Sequence, residues 1–256
     1  MDEFINKLDS DKFRATNAAW NKLRLNDPWS VGYVSALIEL KSFSCKEDWE
    51  EFYYSSGAYR DQQISALDDK MQILLNNESL ILTNPQIIKT LDSHVKSLNY
   101  NLGRTKEQLA KKGKLLFEVI SGNEIKISIE ACIKAVRFRT ICETWNGIIL
   151  RERNTVANLR YVFPQCDFIK KDGAFDHSYA VDYEVYFKNR LCCALQIKPQ
   201  SYLGSSPYLL KAQAANSKKN KKYTDQYGAP VFDVISKTNG EIIHKEILQK
   251  IAKTLG

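Results

Sequence analysis

The stretch VDYEVYFKNRLCCALQIKP, residues 181–199, predicts two antiparallel strands joined by a Lys-Asn-Arg turn. Polar Asp182 and Glu184 alternate with apolar residues in the first strand. In the second strand, Gln196 and Lys198 project to one face and Ile197 to the other. We therefore expect the amide and the ammonium group to share a site beside Asp182 or Glu184, while Ile197 packs into the core.

These residue types suit one kind of chemistry. A carboxylate, the amide oxygen of Gln196 and the main-chain carbonyl of Ile197 form an all-oxygen set that suits Mg²⁺. A lysine beside such a site, here Lys198, can orient a water molecule and stabilise its hydroxide form. Together they are suited to phosphodiester hydrolysis. Because the pattern is short and occurs in other α/β proteins, its flanking elements have to be considered.

The flanking segments predict an α/β fold class, a mixed sheet flanked by helices. A helix over 148–163 leads into a strand at 166–170, and the strand that contains Asp182 is expected over 178–187. After the strand that contains Lys198, a helix opens at Ser206 and Pro207 and runs through a lysine-rich segment. A strand at 230–236 and a helix over 241–255 follow.

Residues 1–122 read as helical, and we predict that this region serves DNA recognition or dimerisation while residues 123–256 form the nuclease core. One helix is expected to begin at a capping box of Ser44 and Glu47 and to close on Gly57. Other helices are expected over 30–40, 61–76, 84–98, 104–120 and 127–145.

Composition restricts the possible partners and compartment. The 256 residues are 44% hydrophobic, with no run of about 18 apolar residues and no hydrophobic leader, so we expect no membrane span and a cytoplasmic location. Six cysteines without a CxxC pair and three isolated histidines argue against zinc. The net charge of +7 is concentrated near Lys218, Lys219, Lys221 and Lys222, which we expect to contact DNA phosphates.

The ordered motifs resemble a known family. Asp182 with Gln196-Ile197-Lys198 resembles the PD-(D/E)xK nuclease superfamily, with glutamine where an acidic residue usually stands and Val181 where a proline often stands. More closely, the chain is similar over most of its length to the MjaI-type type II restriction endonucleases. The matching segments are WSVGYVSALI (29–38), YYSSG (53–57) with Arg60, GRTKEQLAKKGKLLF (103–117), ETWNGIILRE (143–152), VDYEVYF (181–187) and ALQIKPQSY (194–202).

This resemblance implies Mg²⁺-dependent, site-specific cleavage of double-stranded DNA at a short palindrome, such as the four-base CTAG. It implies that Asp182 and Gln196 bind metal, that Lys198 activates water, and that Glu152 is the glutamate supplied by the first core helix. It also implies a homodimer and a cognate DNA methyltransferase that protects host DNA.

Several alternatives remain open at this level. Glu143 competes with Glu152 for the metal site, and Glu184 could assist from the face of Asp182. Glu39 and Lys41 repeat the motif formally, but helical spacing around them favours a solvated helix face. The chain could also be a repair or recombination nuclease of the same superfamily, or a non-catalytic nucleic-acid-binding protein with a degenerate nuclease fold.

Overall fold

The structure, a computed structural model, describes Val34 and residues 37–76, 90–121 and 127–256. The chain divides into two compact units, of which the first ends at Trp145 and the second begins at Asn146. The functional division that we predict between residues 122 and 123 stays a prediction.

The described part of the first unit is helical, as predicted, but the helix predicted over 61–76 is divided between two helices by a break at 66–68. Its last α-helix is extended by a π-helical turn, Phe138–Cys142, and a short α-helical turn, Glu143–Trp145. The helices are α1 (Lys46–Ser65), α2 (Asp69–Asn76), α3 (Ser93–Tyr100), α4 (Lys106–Ser121) and α5 (Ile129–Arg137).

Helix α1 differs from its prediction at both ends. It is capped by Cys45 without a side-chain hydrogen bond, and it continues through Gly57 to Ser65. Gly57 is required for a close approach instead, because a Cβ atom there would lie 2.4 Å from the carbonyl carbon of Arg104. A glycine inside a helix is therefore explained by packing and not by helix termination.

The helix predicted over 30–40 lies mostly outside the described residues. Leu37 and Ile38 are helical and buried, but Glu39 and Leu40 form a turn. Lys41 follows that turn and places its Nζ atom 4.5 Å from the centre of the Phe52 ring. Glu39 and Lys41 are exposed, as expected, but they do not lie on a helix. The start of the helix predicted over 84–98 also lies outside the described residues.

The second unit is built on a four-stranded sheet in which spatial order follows chain order. The first strand pairs antiparallel with the second and the second antiparallel with the third, whereas the third and fourth strands are parallel. The sheet is therefore mixed, and the predicted α/β fold class is confirmed. The strands are β1 (Cys166–Lys170), β2 (Tyr183–Phe187), β3 (Arg190–Pro199) and β4 (Val231–Ser236).

Four α-helices accompany this sheet: α6 (Arg151–Val162), α7 (Gly173–Tyr179), α8 (Pro207–Tyr227) and α9 (Glu246–Leu255). A π-helical turn, Asn146–Leu150, precedes α6, and a 3₁₀ turn, Gln200–Leu203, follows β3. Ser206 caps α8 and Pro207 is its first residue, as predicted.

Two predicted boundaries in this unit are wrong. The strand predicted over 178–187 begins only at Tyr183, because its first residues belong to the end of α7. The final helix begins at Glu246, five residues later than the predicted start at 241.

A tight turn sets the pairing of β2 with β3. Lys188 and Asn189 have φ values of 50° and 62°, the left-handed pair that a two-residue type I′ hairpin requires. The register places Tyr183 opposite Leu195 and Val185 opposite Cys193. Both pairs face the same side, where β-strand alternation directs them into the core.

The two faces of the sheet carry separate apolar clusters. One face packs against α6 and α9, and its buried residues include Val156, Phe168, Val185, Leu195, Ile197, Val234 and Ile251. The cluster on the other face joins Val181 and Ala194 to Tyr223 of α8 and to Ala229, which follows that helix. Helices on both faces explain why β3 reads as an almost continuous apolar run.

Glu184 is a buried carboxylate with a complete set of donors. Its oxygens accept hydrogen bonds from the Tyr223 hydroxyl at 2.7 Å, the Tyr186 hydroxyl at 3.0 Å and the Lys171 ammonium at 3.1 Å. Burial acts to raise the pKa of Glu184, but these three donors outweigh it and lower the pKa. Glu184 therefore joins β2 to α8 as an ionised group.

All six cysteines are free thiols, and five of them are buried. None of the helices in the described ranges is both long enough and apolar enough to cross a membrane.

Tyr223→Phe tests the role of Glu184. Loss of one donor to a buried carboxylate should lower the unfolding free energy by about 1–3 kcal/mol at neutral pH. The folded pKa of Glu184 is below its unfolded value of about 4.3, so its stabilisation is complete above that value and is lost as the pH falls through the folded pKa. The difference between wild type and variant should therefore shrink on acidification, as measured by urea unfolding at several pH values.

Tyr161→Phe is the matched control, because Tyr161 is 89% exposed. Equal effects of the two substitutions, or a Tyr223→Phe effect independent of pH, would contradict this account.

Candidate active site

Asp182 lies immediately before β2 and is held by the main chain on both sides. Its N–H donates to the carbonyl of Leu195 at 2.9 Å, and its carbonyl accepts from the N–H of Lys171 at 2.9 Å. Its carboxylate Oδ2 accepts from the N–H of Ile197 at 2.5 Å. The hairpin therefore brings Asp182 to the Gln196-Ile197-Lys198 segment, as the sequence predicts.

Gln196 and Lys198 differ in exposure. Gln196 is 1% exposed, and its Oε1 atom has no hydrogen-bond partner among the described residues. Lys198 is half-buried, with its Nζ atom 5.9 Å from the centre of the Tyr202 ring. Ile197 points to the opposite face and joins the core. A buried amide oxygen without a donor is costly unless a ligand satisfies it.

Glu152 lies in the first turn of α6, and its side chain is 12% exposed. Its Oε2 atom accepts a hydrogen bond from the ammonium of Lys170, the last residue of β1, at 3.0 Å. Burial raises the pKa of Glu152, and the positive charge of Lys170 opposes that rise.

The start of α6 is anchored to the loop that follows β4. The side-chain amides of Asn154 and Asn158 donate to the carbonyls of Thr238 and Gly240, both at 2.9 Å. Gly240 has a φ of 86°, and a Cβ atom there would lie 2.5 Å from the backbone of Asn154. This contact fixes the helical turn that carries Glu152.

The charged side chains of Asp182, Glu152 and Lys198 act on one another. Burial raises the pKa of Asp182 well above its usual range, the charge of Glu152 raises it further, and Lys198 opposes the rise. Lys198 also acts on Glu152. The ionised form of Asp182 is thus destabilised by burial and by the charge of Glu152, a condition that a bound cation would relieve.

The donors fit a hard divalent cation, because they are oxygens and one of them, Oε1 of Gln196, is buried without a partner in the described part of the chain. No three His, Cys, Asp or Glu side chains in the described ranges lie close enough together to hold a metal ion. A ligand set built here from three side chains would therefore have to include a neutral group such as the amide of Gln196. The N–H of Ile197 is engaged by Asp182, and metal binding by its carbonyl stays a prediction.

The alternative carboxylates have different surroundings. The oxygens of Glu184 are occupied by Tyr223, Tyr186 and Lys171. Glu143 lies at the end of the first unit with an exposed side chain, and its role as a metal ligand stays untested. Glu152 is the predicted carboxylate whose charge acts on Asp182.

The four predicted DNA-contacting lysines lie on α8 but do not share one environment. Lys218, Lys221 and Lys222 are exposed and line a shallow depression of about 460 Å³. Lys222 also places its Nζ atom 4.7 Å from the centre of the Tyr179 ring. Lys219 is half-buried and acts electrostatically on Asp176. Three of the four are therefore open to a phosphate backbone.

Two residues of this region were missed in the sequence. Lys170 pairs with Glu152, and Asp176 on α7 lies within electrostatic range of Lys198. The polar end of the strand CDFIK was a signal for Lys170. Asp176 had no signal, because α7 was not predicted.

Comparison with known families identifies the group to which the chain belongs. The family model described as MjaI restriction endonuclease matches residues 14–244. The chain belongs to the MjaI restriction endonuclease family. Membership assigns the chain to the nucleases, with DNA as substrate, and restriction endonucleases generally use divalent metal ions. The resemblance predicted from the motifs is confirmed.

Comparisons with curated proteins and with solved structures found no match to the chain.

Substitutions of Gln196 test whether this family member uses a neutral ligand. Gln196→Glu adds a negative charge, so the affinity for Mg²⁺ should rise and cleavage should persist at lower Mg²⁺ concentrations. Gln196→Ala removes one ligand and should abolish much of the activity. Calorimetric titration of Mg²⁺ into the free protein, with cleavage rates over a Mg²⁺ series, measures both effects. If both variants match wild type, Gln196 is not a ligand.

Proposed function

We propose that the chain is a type II restriction endonuclease that cleaves double-stranded DNA at a short palindrome in a Mg²⁺-dependent reaction. The observation that carries the proposal is the convergence of Asp182, Gln196 and Lys198 at the ends of paired strands in a member of this family. Glu152 adds a carboxylate within electrostatic range of Asp182.

The side chains have distinct roles in this proposal. Asp182, Gln196 and Glu152 would hold the cation, together with the carbonyl of Ile197. When bound, the cation would supply positive charge to neutralise the scissile phosphate. Lys198 donates hydrogen bonds that orient the attacking water and favours its hydroxide form. The hydrogen bond between Asp182 and the N–H of Ile197 holds the carboxylate against the strand that carries Lys198.

DNA binding is assigned to α8. Lys218, Lys219, Lys221 and Lys222 contact phosphates, which position the duplex without reading its sequence. A homodimer would match the two-fold symmetry of a palindrome, for which the four-base CTAG is the family expectation. A cognate DNA methyltransferase would protect host DNA from this activity.

Incubation of plasmid DNA with and without Mg²⁺ tests the proposal and separates it from the alternatives. Discrete fragments that appear only with Mg²⁺ support a restriction enzyme. Nicking or structure-dependent cutting would indicate a repair or recombination nuclease. Intact plasmid with a gel shift would indicate a protein that binds DNA without cutting it.

Lys198→Ala should reduce cleavage by several orders of magnitude, because the attacking water loses its orienting donor. DNA binding in Ca²⁺ should survive, since the metal ligands and phosphate contacts are retained. Lys253→Ala, at an exposed position on α9, is the control and should cleave normally. Near wild-type cleavage by Lys198→Ala would refute the assignment of this lysine.

Replacing Lys218, Lys219, Lys221 and Lys222 by glutamine should weaken binding to all DNA sequences about equally. Each lysine that binds a phosphate contributes up to about 0.9 to the slope of log K against log salt, so the slope should flatten by that amount for each such lysine replaced.

A matched pair controls for the change in net charge. The double variant Lys218→Gln/Lys222→Gln is compared with Lys245→Gln/Lys253→Gln, in which both lysines are exposed but lie outside α8. Equal salt slopes for the two doubles would remove α8 from the DNA interface.

A further inference from the structure

Helix α7 lies between β1 and β2 and carries Asp176, whose charge acts on Asp182 and on Glu152 of the candidate active site. Asp172 caps its first turn by accepting from the N–H of Phe175 at 2.8 Å. The helix ends at Ala180, whose φ is 53° and whose N–H donates to the carbonyl of Asp176. Two residues later the chain reaches Asp182. The position of α7 is therefore tied directly to the strand that carries Asp182.

Aromatic packing holds α7 against α8. Phe175 and Tyr179 of α7 contact Tyr223 and Tyr227 of α8, with ring centres 4.6 to 6.1 Å apart within this group. The Tyr179 hydroxyl also donates to Gln226 at 2.8 Å. Because Asp176 lies between Phe175 and Tyr179, this packing fixes the backbone from which its carboxylate extends.

The Asp176 carboxylate has a buried oxygen that the protein does not satisfy. Its Oδ1 atom is inaccessible to solvent and has no hydrogen-bond partner among the described residues. The charges that act on it are those of Lys198 on β3, Lys219 on α8 and its neighbour His177. Burial raises its pKa, and these positive charges oppose the rise.

The same condition occurs at Gln196, which is 1% exposed and whose Oε1 atom also has no partner in the described part of the chain. Gln196 lies two residues from Lys198 on the same face of β3. Lys198 acts electrostatically on Asp176 and shares a strand face with Gln196. Both unsatisfied oxygens are therefore associated with the surroundings of Lys198. Glu152 differs, because its Oε2 atom already accepts from the Lys170 ammonium at 3.0 Å.

We propose that Asp176 acts with Asp182 and Gln196 to hold the divalent cation, and that it supplies the negative charge that glutamine cannot. This inference rests on the proposed metal-dependent function and places Asp176 ahead of Glu152 as the second carboxylate of that site. Two carboxylates and one amide are consistent with the absence of any three-member His, Cys, Asp or Glu metal cluster among the described residues. The proposal ranks Asp176 above Glu152 as a ligand, because Oε2 of Glu152 already accepts a hydrogen bond from Lys170. Oδ1 of Asp176 has no hydrogen-bond partner among the described residues.

Binding of Mn²⁺ alone to the free protein tests the proposal without requiring DNA or activity. The decrease of the free Mn²⁺ signal in electron paramagnetic resonance gives the dissociation constant for each variant. Asp176→Asn should raise that constant about tenfold or more, and Glu152→Gln should raise it less. Asp176→Glu keeps the charge and should restore part of the affinity.

Asp172→Asn is the matched control, because it removes an equal charge from the same helix while asparagine retains the capping ability of aspartate. It should leave Mn²⁺ binding unchanged, and circular dichroism should show that all variants are folded. If wild type and Asp176→Asn bind Mn²⁺ equally, or if neither binds it, the proposal is overturned.

Plasmid cleavage by the wild type separates this inference from the proposed function. Mg²⁺-dependent cutting with equal Mn²⁺ affinity of wild type and Asp176→Asn refutes the role of Asp176 and leaves the nuclease assignment intact. Mn²⁺ binding that depends on Asp176, without DNA cleavage, supports the cation site and refutes the proposed function.

Discussion

The hydrogen bond from the N–H of Ile197 to the carboxylate of Asp182 is the contact on which the site depends. It requires the β2–β3 hairpin to have one register, since a slip of a single residue would turn Gln196 and Lys198 into the core and Ile197 out of it. The same register buries Leu195 and Ile197 against α6 and α9. Core packing therefore specifies the site geometry.

Strand periodicity accounts for the part of the site that could be predicted. Alternation in β3 separates Gln196 and Lys198 from Ile197, and the short turn makes Asp182 their neighbour. Sequence signals for helix ends were misleading where tertiary packing determines the residue type. Gly57 resembled a helix terminus, yet it lies inside α1. The backbone of Arg104 approaches it so closely that only glycine fits there.

The roles of the other carboxylates depend on partners that are distant in sequence. Glu184 is satisfied by Tyr223, 39 residues away, and Glu152 by Lys170, 18 residues away. Asp176 was missed because seven residues of α7 are too few to show a helical period. The sequence pattern therefore identified Glu184 and Glu152 as candidates but not Asp176, and only the fold distinguishes a structural carboxylate from one with an unsatisfied oxygen.

The left-handed turn at Lys188 and Asn189 also has a consequence for the order of folding. It closes the contact between Asp182 and Ile197 over 15 residues, a short loop with a small entropic cost. Strand β4 can join β3 only after the 21-residue helix α8 has crossed the sheet. Hairpins form within about 1–10 μs, whereas pairing between distant strands is slower. The segment that carries Asp182, Gln196 and Lys198 is thus expected to assemble early, before the sheet edge at β4 is complete.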